Sequence, residues 1–306
     1  RGEKFLYSVF SRFGTTDTLD FFESIGVKTY TQEDNRIFPI SNSSSDVREH
    51  LLKSLSKCTF VKEGVNKIQP LESAWKVQTN KSSYAFDYVV IAIGGHSNFE
   101  LLSKLGIDII PPTQALVGLV TEEDFSSIAG VSVNDILFTH KGISGPKIYK
   151  ISSLNARKEM PYKLSFGLVP EFNLQEYLDK NPHKEIKNLL GQFVTKSLAL
   201  WILQNLNINP DTPCHQINGK NRDKILNKLT DFEVTVTGKV PVGEVVTCGG
   251  VDLKGVNPKT LESKQYQGLY FCGEILDIDG FCGGFNLQNC WSTGYIAAQS
   301  IINQSR

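Results

Sequence analysis

Apolar positions recur at helical spacing from the start of the chain, at Phe5, Leu6, Val9, Phe10 and Phe13 and again at Leu19, Phe21, Phe22 and Ile25. The pattern predicts two helices within residues 1–26, broken at Gly14. A short strand is expected over Val27–Tyr30, and the polar stretch Ser41–Ser45 can cap a helix over Asp46–Leu55. Short β-type stretches follow around Thr59–Val61, Trp75–Thr79 and Tyr84–Phe86. The run Tyr88-Val89-Val90-Ile91-Ala92-Ile93 is apolar throughout and stops at Gly94-Gly95, which suits a strand covered on both faces of a parallel sheet.

From about Ala115 the texture changes to short β segments separated by Gly and Pro: Leu116–Thr121, Ile136–Thr139 and Tyr162–Val169. Residues 173–230 read as helix. There Ile186, Leu189, Leu190, Phe193, Val194, Leu198, Trp201 and Ile202 form one apolar face, and Lys220–Leu229 adds a shorter amphipathic segment. Strands return at Glu233–Thr237 and Glu244–Cys248. A last strand, Gly268–Cys272, precedes a Gly-rich loop and a final helix from about Asn286 to Ile302. The expected architecture is α/β, one sheet domain interrupted by another, with segments 1–113, 114–170, 171–230, 231–253 and 254–306.

Composition narrows the function classes. The 32 basic and 32 acidic side chains cancel, so no global field draws the chain to nucleic acid or to an anionic membrane. No apolar run approaches the ~20 residues of a membrane span. The six cysteines form no CxxC pair and no His spacing completes a zinc site, which points to reduced thiols and a cytoplasmic setting, with no metal. The chain opens on Arg1 and its one Met is Met160, so it is expected to be a piece of a longer protein.

The chemistry concentrates in Gly268–Ala298. A buried strand ends at Cys272 and leads to Gly273-Glu274, then Asp277 and Asp279, then Gly283-Gly284 directly before a helix. Paired glycines allow a close ligand approach that a Cβ would forbid. The helix beyond offers unpaired N–H groups and a partial positive charge, suited to phosphate or an anionic ring carbonyl. Acids at a strand's carboxyl end can accept hydrogen bonds from ribityl or ribose hydroxyls. The arrangement reads as a flavin or nucleotide cradle; the alternative is a tight strand-to-helix turn with solvated acids.

This segment closely resembles the BaiN/RdsA-like (YhiN-type) flavoproteins. The resemblance rests on Gly249-Gly250-Val251, on Asn257-Pro258-Lys259-Thr260-Leu261-Glu262-Ser263-Lys264, and on Gly273-Glu274 through Gly294. Further matches are Arg36-Ile37-Phe38-Pro39, Ile91-Ala92-Ile93-Gly94-Gly95 and Thr139-His140-Lys141-Gly142-Ile143-Ser144-Gly145-Pro146. They run in family order over essentially the whole chain. The resemblance implies a Rossmann-like FAD/NAD(P)-binding domain, incomplete at its N-terminus, interrupted by a β-barrel-like domain with a helical insert. It also implies a noncovalent FAD, NAD(P)H as a possible electron donor, and an FAD-dependent oxidoreductase as the activity.

The cofactor-binding candidates that follow are Ala92, Gly94, Gly95, Gly273, Glu274, Asp277, Gly283, Gly284, Asn286, Leu287 and Gln288. Family members begin with a strand–GxGxxG–helix unit for the pyrophosphate, and no GxGxxG occurs in these 306 residues. Members often carry a Gly-rich stretch where Gly95-His96-Ser97-Asn98-Phe99 here leads almost directly to the next helix. The chain is therefore expected to keep the ring side of the site without the main phosphate anchor. A non-catalytic fragment is one alternative. A reductase of uridine in ribosomal RNA is the other, drawing on Lys141, Lys147, Lys150, Arg157 and Lys158.

Catalytic residues are not assigned by the pattern. Cys282 in the Gly-rich turn is a candidate proton donor and His140 a candidate substrate contact; a small residue chosen for fit and a solvated loop are the plainer explanations. His50, His183 and His215 need no functional reading, and Trp291 and Tyr295 read as core. Ser144 lacks the GxSxG elbow of a hydrolase. A small-molecule substrate is expected ahead of nucleic acid, with no membrane partner and no oligomeric state assigned.

Overall fold

The computed structural model describes residues 2–95, 99–240 and 246–305. They form two compact units, one from Arg1–Thr113 with Val246–Arg306, the other from Gln114–Val245. The return crossing falls before Val246, earlier than the expected boundary after residue 253. The reason is pairing: Val246–Val251 forms a two-stranded sheet with Ile109–Ala115 and is buried throughout.

In the first unit Val89–Ile91 and Leu269–Phe271 pair in parallel, with Leu269 opposite Val89 and Phe271 opposite Ile91. Leu269, Tyr270 and Phe271 are each 0% exposed. The 20-residue final helix, Phe285–Gln304, covers this strand, and the Tyr270 hydroxyl donates to Gln304 Oε1 at 3.0 Å. Trp75–Thr79 is the middle strand of a separate antiparallel sheet with Val65–Pro70 and Ser83–Phe86. Alternation explains that sheet, since Trp75 and Val77 are buried while Lys76 and Gln78 are less so.

Three local expectations need correction. The Tyr88–Ile93 run is not covered on both faces: the strand is only Val89–Ile91, and Val90, on the face opposite its neighbours, stays 42% exposed. No strand forms at Thr59–Val61, where Phe60 and Val61 are exposed and find no strand pairing among the described residues. Ile186–Ile202 is two helices, Ile186–Leu190 and Lys196–Asn205; the Thr195 hydroxyl accepts the Leu198 N–H and starts the second, while both bury the same apolar face.

The second unit carries six antiparallel strands in the order Tyr162–Phe166, Phe232–Lys239, Leu119–Thr121, Gly142–Ser144, Ile136–Thr139, Ser132–Val133. The two end strands do not pair among the described residues, so the barrel-like expectation takes the form of an open sheet. Phe232, Val234 and Val236 alternate into the core at 0% exposure, against Phe125, Phe138, Phe166 and Trp201. Helices Leu174–Lys180, Lys196–Asn205 and Gly219–Thr230 contribute Leu178, Leu198, Ile202 and Ile225 to the same core.

Candidate functional site

Most of the predicted cofactor residues gather where three segments of the first unit end. The Val89–Ile91 strand runs into Ala92 and the Gly94-Gly95 turn, with Gly94 at φ 77°. The Leu269–Phe271 strand runs into a single 3-10 turn, Gly273–Ile275, and Gly273 at φ 77° donates its N–H to Thr293 Oγ1 at 2.9 Å. The return strand Val246–Val251 brings the N–H of Thr247 to Glu274 Oε1 at 2.8 Å.

Gly284 caps the final helix at φ 87°, and a Cβ there would meet no atom within 4 Å. The glycine is required by the left-handed backbone rather than by crowding, and the helix N-terminus opens onto space. Gly283, at φ 128°, lies against the Phe285 ring instead. Leu287 and Phe285 are 61% and 59% exposed around this opening.

Other candidates serve the turn itself. Asn286 accepts the Gly280 N–H at 2.8 Å through Oδ1 and returns Nδ2 to the Gly280 carbonyl at 2.9 Å, so its side chain closes the loop. Gln288 Nε2 donates to Thr18 Oγ1 and Ser292 Oγ, fixing the helix to the Thr15–Ser24 helix. Asp277 is half-buried, with its N–H on the Val251 carbonyl, and Asp279 is buried. Trp291 packs edge-on to Phe22, whereas Tyr295, expected in the core, stacks on Phe13 yet stays 40% exposed.

Two residues escaped the sequence reading. Asn289 is 3% exposed on the second turn of the final helix, and its Oδ1 finds no hydrogen-bond partner among the described residues. Thr247 is 3% exposed and reaches Glu274 through its backbone, an interaction no motif announces. Cys282 is exposed on the Gly-rich turn. His140 is exposed on the hairpin turn between Ile136–Thr139 and Gly142–Ser144 of the second unit.

A flavin suits these residues on three counts: an open helix N-terminus for an electron-rich ring edge, an acid at a strand end for hydroxyls, and a buried acceptor without a donor. Among the described residues no group of three His, Cys, Asp or Glu can hold a metal, and no helix is long and apolar enough to cross a membrane.

The Cys272 and Cys290 thiols are packing groups. Burial pushes Cys272 from 9.0 up to about 11, with Cys290 adding to the shift, and burial also raises Cys290. Cys58 and Cys282 are exposed. Brief iodoacetamide treatment of the native chain should therefore label Cys58 and Cys282 and spare Cys272, read by peptide mass spectrometry; early labelling of Cys272 would contradict its burial. The folded state holds the Cys272 proton more tightly than the unfolded chain does. That stability is complete below pH 9.0 and is lost as pH rises through about 11.

Residues 1–300 match the HI0933-like protein Rossmann domain, nearly the whole length. The chain belongs to that family. Its fold class is α/β, of the Rossmann-like dinucleotide-binding type. Within the curated proteins it is 27% identical to the ribosomal RNA dihydrouridine synthase of Escherichia coli, over 97% of this chain and 82% of the relative. It is 28% identical to the 3-dehydro-bile acid delta(4,6)-reductase of Clostridium scindens, over 98% of this chain and 83% of the relative. Among solved structures it is similar to the bacillithiol disulfide reductase Bdr of Staphylococcus aureus, with 12% identity, a TM-score of 0.32, and coverage of 92% of this chain and 86% of that one.

Proposed function

We propose that the chain is the ring-binding part of an FAD-dependent reductase that adds two hydrogens to a carbon–carbon double bond conjugated to a carbonyl. The observation that carries this is the final helix starting at Gly284, open in front and flanked by the Glu274 turn. The names of two of the curated relatives denote that same type of reduction, one on a uridine and one on a bile acid.

Bound FAD would supply hydride at its ring; the residues supply position and electrostatics. The N–H groups at the start of the Phe285–Gln304 helix would face the ring edge that gains negative charge on reduction, a charge–dipole contact worth up to ~2 kcal/mol. Glu274 would accept hydrogen bonds from ribityl hydroxyls, and Gly94 leaves room for backbone approach. NAD(P)H is the proposed electron donor.

Uridine in ribosomal RNA is the second reading for the substrate, favoured by the relatives and by exposed Lys141, Lys150 and Arg157 in the second unit. In the same basic group Lys147 Nζ donates to the Gly167 carbonyl, and Lys158 Nζ stands 4.5 Å from the Tyr162 ring centroid. A small conjugated enone remains the first reading. The test is an FAD titration followed by flavin absorbance, then anaerobic addition of NADH or NADPH and of each substrate type. Because no GxGxxG is present, FAD should bind weakly, by orders of magnitude less than to a chain with that anchor. Absence of any flavin binding at millimolar concentration would defeat the proposal.

A further inference from the structure

Glu274 sits on a single 3-10 turn, which by itself does little to orient a long carboxylate side chain. Its orientation comes from elsewhere in the chain. The Thr247 N–H donates to Oε1 at 2.8 Å, a charge-assisted bond from a residue that is 3% exposed and fixed in the return strand Val246–Val251. The other oxygen, Oε2, lies 4.0 Å from the point where a side chain on Gly94 would begin.

The neighbouring glycine shows why Thr247 can come so close. A Cβ on Gly95 would lie 2.5 Å from Thr247 Cβ, 2.6 Å from Thr247 Oγ1 and 3.1 Å from Glu274 Cδ. Unlike Gly94, Gly95 is not in the left-handed region, so its backbone would accept any residue. What excludes a side chain there is the space already taken by Thr247 and Glu274. The turn after one parallel strand, the start of the return strand and the turn after the other parallel strand thus lock together around a single carboxylate.

We propose that Thr247 is a positioning residue of the flavin site: its N–H holds Glu274 so that Oε2 meets a ribityl hydroxyl, and Gly95 is glycine to leave Thr247 that place. The proposal rests on the flavin reading above. It makes a demand that general packing does not, because only a ligand with a ribityl chain should sense the orientation of Glu274.

The experiment titrates the whole chain with riboflavin and with lumiflavin, the same ring without the ribityl chain, following flavin fluorescence. Neither probe carries a pyrophosphate, so the phosphate anchor does not enter. Riboflavin should bind more tightly than lumiflavin. Gly95→Ala should weaken riboflavin about tenfold and leave lumiflavin unchanged, the size expected for one hydrogen bond to a charged group. Adding Thr247→Gly, which keeps the N–H but removes the clashing side chain, should restore most of the riboflavin affinity. Circular dichroism checks that Gly95→Ala folds; if it does not, Glu274→Gln, of equal size, takes its place and should lose riboflavin affinity selectively.

Equal losses for both flavins, or no rescue by Thr247→Gly, would overturn the positioning role. Equal affinity of the unaltered chain for the two probes would overturn it while leaving the flavin reading intact. Binding of neither probe would defeat both.

Discussion

Gly250→Ala is expected to unfold the first unit. Gly250 has φ 136° and is buried, and a Cβ on it would overlap the Ile275 carbonyl oxygen and lie 3.0 Å from the carbonyl carbons of Ile275 and Leu276. That backbone cannot step aside easily, because the Asp277 N–H is tied to the Val251 carbonyl at 3.1 Å. Gly249 beside it is as confined, since a Cβ there would lie only 2.6 Å from the Pro111 carbonyl oxygen. Strain at such a φ costs ~1–3 kcal/mol, and forced overpacking adds ~1–3 kcal/mol. Their sum rivals the lower end of the ~5–15 kcal/mol that holds a domain folded. Urea unfolding followed by tryptophan fluorescence should show the loss. Gly255→Ala is the control, since a Cβ there meets nothing within 4 Å and φ is ordinary; it should leave the midpoint unchanged or raise it slightly. Equal midpoints for Gly250→Ala and the unaltered chain would show that the return strand is not clamped as described.

Gly284→Val should act oppositely, sparing the fold and removing the ligand. No atom lies within 4 Å of a Cβ at this position, so the first carbon of an added side chain meets open space. The cost is the φ of 87°, on the order of 1–2 kcal/mol for an L-residue, local to a turn. The isopropyl group then stands in front of the helix N-terminus. Riboflavin affinity should fall at least tenfold, ~1.4 kcal/mol, while thermal unfolding moves by only a few degrees. Gly284→Ala should fall between. Undiminished riboflavin binding in the valine form would show that the ring does not approach the helix end.

Sequence pattern was most informative where one element decides its own state. Leu269–Phe271 is apolar at every position and flanked by glycines, and it is a fully buried strand. Gly283-Gly284 before an amphipathic run correctly marked a helix start, one residue before the expected Asn286. The pattern misled where the outcome depends on a neighbour. Val90 looks as buried as Tyr270, yet an apolar side chain is covered only if another strand or helix lies over it. Thr59–Val61 has β-type residues and pairs with no strand among the described residues. Asn286 and Glu274 both stood out as polar residues in a glycine-rich frame, and only coordinates separate the one spent on Gly280 from the one held by Thr247. Thr247 left no trace because its contribution is a backbone N–H, which every residue except proline owns.

The first unit is assembled from two stretches of sequence parted by residues 114–245, and this sets an order of events during synthesis. Residues 114–245 emerge as one uninterrupted piece, and their two ends meet: Lys239 Nζ donates to the Gln114 carbonyl at 2.7 Å and the Val240 N–H to the Gly118 carbonyl at 2.9 Å. That piece can fold on the ribosome while Val89–Ile91 still waits for Leu269–Phe271. Until the last segment leaves the exit tunnel, Val9, Phe13, Trp75 and Ile91 have no finished core to enter. The early apolar segments are therefore the part of the nascent chain most in need of a chaperone.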